Sequence, residues 1–480
     1  MAAMTHIPRV PTSAKSLATN PLKMSAPLGG ALAFMGVDNC LPLFHGSQGC
    51  TAFGMVLLVR HFREAVPLQT TAMDQVATIM GGYENLEEAL KTIHANNKPD
   101  MIGVCTTGVT ETKGDDMGGA LTLFRKRNPD LAALDLVFVN TPDFAGGFEE
   151  GFAAAVTGMV EQLVEPVDYK IPGQINVLAG AHLTPGDIEE LRDVIESFGL
   201  SPIFLPDLSL SMSGRQPADF TATTLGGVTV DQIRSMGASE FTIAVGRSMG
   251  SACAALEMKT GVPCRHFDRL TGLEASDAFI KTLMEVSGRQ PTGKIKRQRE
   301  SLVDAMLDGH FFTSRKKIAV ALEPDLLYAV TAFLNDLGAD VVAAVSPTQA
   351  GILDKVHARV VMVGDHADVE ALAKEAGAEL VISCSHGRQG AQRLGIAHHR
   401  MGIPTFDRLG AGLKVSVGYR GALNLLLDVA NIFLAAEMDH HGGPHDLHAP
   451  GHAHGQEGHD DAAGHACGGG GGGSCGCNAG

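Results

Sequence analysis

The sequence contains no tryptophan, only four tyrosines, and so few basic residues relative to acidic ones that its net charge is -16. A field of that sign repels phosphate backbones and anionic lipid, so neither nucleic acid nor a membrane surface is expected as a partner. The basic run Lys294 to Arg299 is short and predicts the solvated start of a helix. No apolar core of the secretory kind follows the N-terminus, and a cytoplasmic location is expected. No apolar stretch reaches the roughly 18 uninterrupted residues of a membrane span. The best candidate, Ala422 to Met438, is broken by Asn424, Asp428 and Asn431 and predicts a buried helix.

Several catalytic signatures are missing as well. No G-x-G-x-x-G follows a strand-like run. The dinucleotide fingerprint is thereby excluded. Gly288 to Lys294 has Walker spacing, but Ile295 stands where Ser or Thr must reach Mg, so no nucleotide site is expected. "CSHGRQ", Cys384 to Gln389, offers a thiol and an imidazole without an orienting third group, and predicts an ordinary loop.

What is present is the pattern of an α/β protein. A chain of 480 residues allows about three domains. From Lys98 onward, short runs of Val, Ile and Leu ("MIGVC", "LDLVFVN", "INVLA", "PIFLP", "FTIAV", "KIAVAL", "DVVAAV", "RVVMVG", "ELVIS") alternate with segments of helical period. Continuous apolar runs of that length are the mark of strands buried on both faces. After Ile175 to Ala179, Thr184-Pro185-Gly186-Asp187 forms a capping box that opens a helix ending at Gly199. After Ile318 to Leu322, Pro324-Asp325 opens another, ending at Gly338. These units predict parallel sheets covered by helices on both sides, as three three-layer αβα domains. Breaks near Pro166 to Gln174 and near Arg315 place them at 1–170, 171–314 and 315–438, with a helix around Ser301 to Leu307 bridging the last two.

The remainder, 439–480, changes abruptly to a His/Cys/Gly-rich tail without apolar period, and predicts disorder. His440, His441, His445, His448, His452, His454, His459, His465, Cys467, Cys475 and Cys477 are candidate ligands for a borderline metal, or simply solvated. The chain has nine cysteines, and without a secretion signal they are expected to be free, metal-bound or catalytic rather than a disulfide framework. Cys40, Cys253, Cys264 and Cys384 show no ligand spacing and are read as structural.

Cys50, in "HGSQGCTAFG", sits among small residues that would let a sulfur approach a bulky inorganic cluster from a loop tip. The surrounding sequence, "NPLKMSAPLGGALAFMGVDNCLPLFHGSQGC", closely resembles the β-type half of the nitrogenase molybdenum-iron protein superfamily. The resemblance continues through "TTGVTETKGDD", "VNTPDFAGGFEEGFAAAV", "LTPGDIEELRDVIESFGL", "KRQRESLVDAMLDGHFF" and "GYRGALNLLLDVAN", over about residues 20 to 435. It is strongest to the scaffold branch, on which the iron-molybdenum cofactor matures. In catalytic β-type subunits three cysteines help to hold an eight-iron cluster; here the first aligns with Ser25 and the third with Gly108, leaving Cys50 alone. A [4Fe-4S] cluster wants about four thiolates. The resemblance therefore implies that Cys50 completes a [4Fe-4S] cluster shared with a NifE-type partner subunit in an α2β2 heterotetramer. It further implies that the complex holds an iron-molybdenum cofactor precursor, received from a donor, and is docked by the nitrogenase iron protein, with His61 and Arg63 as candidate docking residues. No residue is expected to act catalytically. The competing readings are a catalytic nitrogenase-like or protochlorophyllide-type reductase subunit, which loss of the cysteines at 25 and 108 opposes, and a metal-storage protein driven by the tail. Cys105, inside a strand, is expected in the core.

Overall fold

Strands of the expected kind pair in parallel into three sheets in the structure, a computed structural model that describes residues 10–17, 20–114, 116–212 and 221–440. The first sheet holds β1 (Cys40–His45), β2 (Gln69–Thr70), β3 (Met101–Thr106) and β4 (Asp135–Val139) in the order β2-β1-β3-β4. The second holds β5 (Gln174–Ala179), β6 (Ser201–Leu205), β7 (Phe241–Val245) and β8 (Cys264–Phe267) in the order β6-β5-β7-β8. The third holds β9 (Lys317–Ala321), β10 (Asp340–Ser346), β11 (Val361–Val363), β12 (Leu380–Ser383) and β13 (Ala397–Arg400) in the order β11-β10-β9-β12-β13. In each sheet the chain starts in the middle, winds to one edge, and then crosses to the other side of its first strand. That reversal opens a crevice at the carboxyl ends of two central strands, the place where open parallel sheets hold ligands. The crevices lie between β1 and β3, β5 and β7, and β9 and β12.

The layering follows from strand alternation. In β1, Cys40 and Phe44 belong to a core shared with helices Ala26–Met35 and Phe148–Leu163, whereas Leu41 and Leu43 pack with Leu86, Leu90, Met117 and Phe124 from helices Tyr83–Asn97 and Met117–Arg127. The third sheet divides likewise: Ile318, Val320 and Ile382 face one layer, Ala319, Ala321 and Val381 the other. Helices Ala26–Met35 and Phe148–Leu163 cross at two glycines. A methyl group added to Gly29 would lie 1.8 Å from the carbonyl oxygen of Phe148, and one on Gly151 would lie 1.8 Å from that of Ala26. Phe34, Phe148 and Phe152 are fully buried around the crossing, each contributing about 1.5–3 kcal/mol.

The capping box at Thr184 forms as expected: its hydroxyl accepts from the Asp187 amide at 2.9 Å, and Asp187 accepts from the Thr184 amide at 3.0 Å. The bridging helix is longer than the sequence suggests, spanning Gly293–Thr313, and the basic run opens it. The last helix, Gly418–His440, is the single one among the described residues long and apolar enough to cross a membrane. It is not buried all round: Ala422, Leu425, Leu426, Val429 and Phe433 enter the core, while Leu427 is exposed. Cys253 and Cys264 are not free. Helix Gly250–Thr260 returns beside β8, brings their Cα atoms to 6.2 Å, and the two are joined in a disulfide. Spacing along the chain carried no sign of this, because tertiary packing sets the distance.

Candidate cluster site at the end of the first sheet

Cys50 stands at the crevice of the first sheet. After β1 the chain passes through Gly46 and Ser47 directly into helix Gln48–Phe62, so Cys50 lies in the first turn of that helix rather than at a loop tip. The start is braced from β3: the hydroxyls of Thr107 and Thr110 donate to the carbonyl of His45 at 3.1 and 3.3 Å. Gly46 is required at this spot, because a Cβ there would fall 2.2 Å from the Thr107 hydroxyl. The Cys50 thiol is exposed, with the Ser47 hydroxyl 3.7 Å away, and a side chain on Gly49 would meet only open space.

Ser25 and Gly108 belong to the same end of the sheet. Ser25 caps helix Ala26–Met35, whose first amide, that of Ala26, donates to Asp143 Oδ1 at 3.0 Å. Gly108 opens helix Gly108–Lys113, and a Cβ on it would sit 3.9 Å from Asp143 Oδ2. Both positions therefore border one carboxylate, which burial raises above the ordinary carboxylate range against the lowering effects of the Ala26 amide and Lys23. Neither offers a thiol. Around Cys50 the surface is unusually apolar: Phe53 and Val56 follow it at helical spacing and are 70% and 52% exposed, and Val76 and Ile79 on helix Gln75–Met80 are 65% and 77% exposed. Phe144, next to Asp143, is exposed too. Large apolar patches of this kind mark protein interfaces. Among the described residues Cys50 is the one exposed free thiol.

The other sequence candidates fall elsewhere. Cys105 is buried, as are Cys40 and Cys384, and burial drives all three thiols upward in pKa. His61 is buried and cannot dock a partner; its Nδ1 accepts from the Thr405 amide at 2.9 Å, and burial holds its pKa down at about 4. Arg63 is exposed but is spent on the carbonyl of Phe406, to which Nη2 donates at 2.8 Å. Both tie the Cys50 helix to the segment after β13. Of the tail candidates, His440 ends the last helix, and His441, His445, His448, His452, His454, His459, His465, Cys467, Cys475 and Cys477 lie outside the described residues.

Asp325, in the first turn of helix Pro324–Asp336, reaches the crevice of the second sheet. Asp325 accepts from the amides of Arg247 and Ser248, both at 3.0 Å, and from the Ser248 hydroxyl at 2.6 Å. Its own amide donates to buried Glu149 at 2.9 Å. A cavity of about 630 Å³ adjoins this region, lined by His61, His182, Glu323, His399, Arg400 and Arg420 among others. At the third crevice, sequence reasoning missed a partner for Cys384: His366 Nε2 lies 3.6 Å from its sulfur, with His386 beside them. His366 is 18 residues away, and only the order of the strands brings it near.

Comparison with known proteins agrees with the fold. A family model described as nitrogenase component 1 type oxidoreductase matches residues 25–434. The chain is 52% identical over 424 residues to the nitrogenase iron-molybdenum cofactor biosynthesis protein NifN of Bradyrhizobium diazoefficiens, covering 88% of this chain and 90% of that protein. It is 46% identical to the protein of the same name from Nostoc, with 88% and 95% covered. A solved structure described as nitrogenase Cp1 at pH 6.5 superposes with a TM-score of 0.85 at 30% identity, over 92% of this chain and 98% of that one. The chain thus belongs to the nitrogenase component 1 type oxidoreductase family.

Proposed function

We propose that the chain is one subunit of the scaffold on which the nitrogenase iron-molybdenum cofactor is assembled, holding an iron-sulfur precursor together with a NifE-type partner before its transfer to nitrogenase. The relatives' names support the biosynthetic role. The observation that carries the shared site is Cys50 itself: one exposed thiol in an apolar collar, on a sheet end whose other cluster positions are Ser25 and Gly108. The chain's part is to present that sulfur from the first turn of a 15-residue helix, whose positive end suits the negative charge of a bound cluster. A [4Fe-4S] group supplies one-electron chemistry when bound. The remaining thiolates come from the partner across the surface bearing Phe53, Val56, Val76 and Ile79, in an α2β2 heterotetramer. Docking by the nitrogenase iron protein, and a place in the cytoplasm, belong to the same reading.

The test is iron content and EPR of the chain purified anaerobically alone and with its partner. The chain alone should bind little iron outside its tail. The complex should show a reduced [4Fe-4S] signal that disappears with Cys50→Ala while the two subunits still copurify. A signal that survives Cys50→Ala would overturn the assignment.

A further inference from the structure

The crevice of the third sheet holds a second set of metal-ligating groups, far in the sequence from Cys50. Cys384 follows β12, His366 opens helix His366–Ala376 after β11, and His386 lies in the short turn after Cys384. One donor atom from each lies within 4.8 Å of the other two. We propose that His366, Cys384 and His386 form a binding site for a borderline divalent metal ion of the zinc type, independent of the cluster held through Cys50.

The distances carry the argument. A tetrahedral zinc has bonds of about 2.3 Å to sulfur and about 2.0–2.1 Å to imidazole nitrogen, which at the tetrahedral angle separates the two donors by about 3.6 Å. The Cys384 sulfur and His366 Nε2 are 3.6 Å apart. Both side chains are buried and fixed, His366 at the first position of its helix and Cys384 at the end of a central strand. His386 is exposed, its ring 5.4 Å from that of Phe406, so it closes the site from the solvent side and gives the ion its way in. The donor set of one thiolate and two imidazoles selects borderline metals over Mg or Ca.

Charge balance points the same way. Arg60, stacked 4.0 Å over Phe406, lies beside His386, and the carboxylate of Asp365 lies beside His366. Cys384 supplies one negative charge as thiolate. A lone thiol donating to an imidazole would explain the His366 contact, but not the convergence of His386. With three protein donors, a fourth position stays open to water or to a ligand.

The experiment uses the full chain, because the tail also offers His and Cys. Wild type, Cys384→Ser and His386→Ala are stripped with chelator and titrated with Zn2+ and, separately, Co2+, with bound metal measured after dialysis. Each variant should lose about one equivalent relative to wild type, together with the visible bands of tetrahedral Co2+ bearing one sulfur ligand, while the tail contribution cancels between samples. His386 is exposed, so its variant keeps the fold even if Cys384→Ser does not, as circular dichroism will show. Equal stoichiometry and equal Co2+ spectra in wild type and His386→Ala would overturn the proposal.

Discussion

Replacing His61 by leucine tests whether the helix carrying Cys50 is anchored through a neutral, buried imidazole. The ring accepts the Thr405 amide proton, and burial lowers its pKa from 6.5 to about 4. A group that binds protons more weakly in the folded state than in the unfolded one costs stability as pH falls. The loss begins below the unfolded value near 6.5 and is complete near 4. At about 1.4 kcal/mol per pH unit, that interval corresponds to about 3 kcal/mol withdrawn from the wild-type protein by acid. His61→Leu removes this term but strands the Thr405 amide without an acceptor, a cost of about 1–3 kcal/mol at every pH. At pH 8 the variant should therefore unfold at lower urea than wild type. As pH falls toward 4 the two midpoints should converge and then cross. His366, His398 and His399, held low by burial too, are present in both proteins and cancel in the difference. A gap between the midpoints that stays constant from pH 8 to pH 4.5 would refute the reasoning.

Three further outcomes are expected. Glu149 is pushed well above its usual 4.5, first by burial and then by Asp325 and Glu323, so its charged form is disfavoured in the fold. Its sign is opposite to that of His61: stability falls as pH rises above about 4.5, and Glu149→Gln, which can still accept from the Asp325 amide, should raise the melting temperature at pH 8 more than at pH 5. Gly151→Ala drives a methyl onto the backbone oxygen of Ala26, with no flexible side chain to yield, and should cost about 1–3 kcal/mol or more in urea unfolding. Gly46→Ala forces the Thr107 side chain away from its contact with His45, and should lower the interface-cluster EPR signal in the complex without changing the disulfide at Cys253.

Much of this architecture was legible because buried parallel strands are written as uninterrupted Val, Ile and Leu runs, and β3 to β7 and β9 to β12 all carry that signature. Four strands escaped, of which β2 is only two residues long. Pro42 sits in the middle of β1, opposite Gly103, although proline rarely occupies a central strand. β8 and β13 carry Arg and His residues that obscure the apolar pattern. The motif singled out Cys50 as a candidate, but its helical setting was not legible, since the glycines around it suggested a loop. The exposed Phe53 and Val56 would pass for core in any periodicity argument. The association of His366 with Cys384 was illegible because parallel sheets join residues through crossovers, not through local spacing.

The crossing of the two glycine-bearing helices also orders events during synthesis. The strands of the first sheet are all available once residue 139 has left the ribosome, yet one face of that sheet has no complete cover until helix Phe148–Leu163 arrives to seat on Ala26–Met35. That helix in turn packs against Gly250–Thr260, about a hundred residues later. At roughly 5–20 residues per second, the nascent chain carries unfinished apolar surface for seconds before its Cys50 end is rigid.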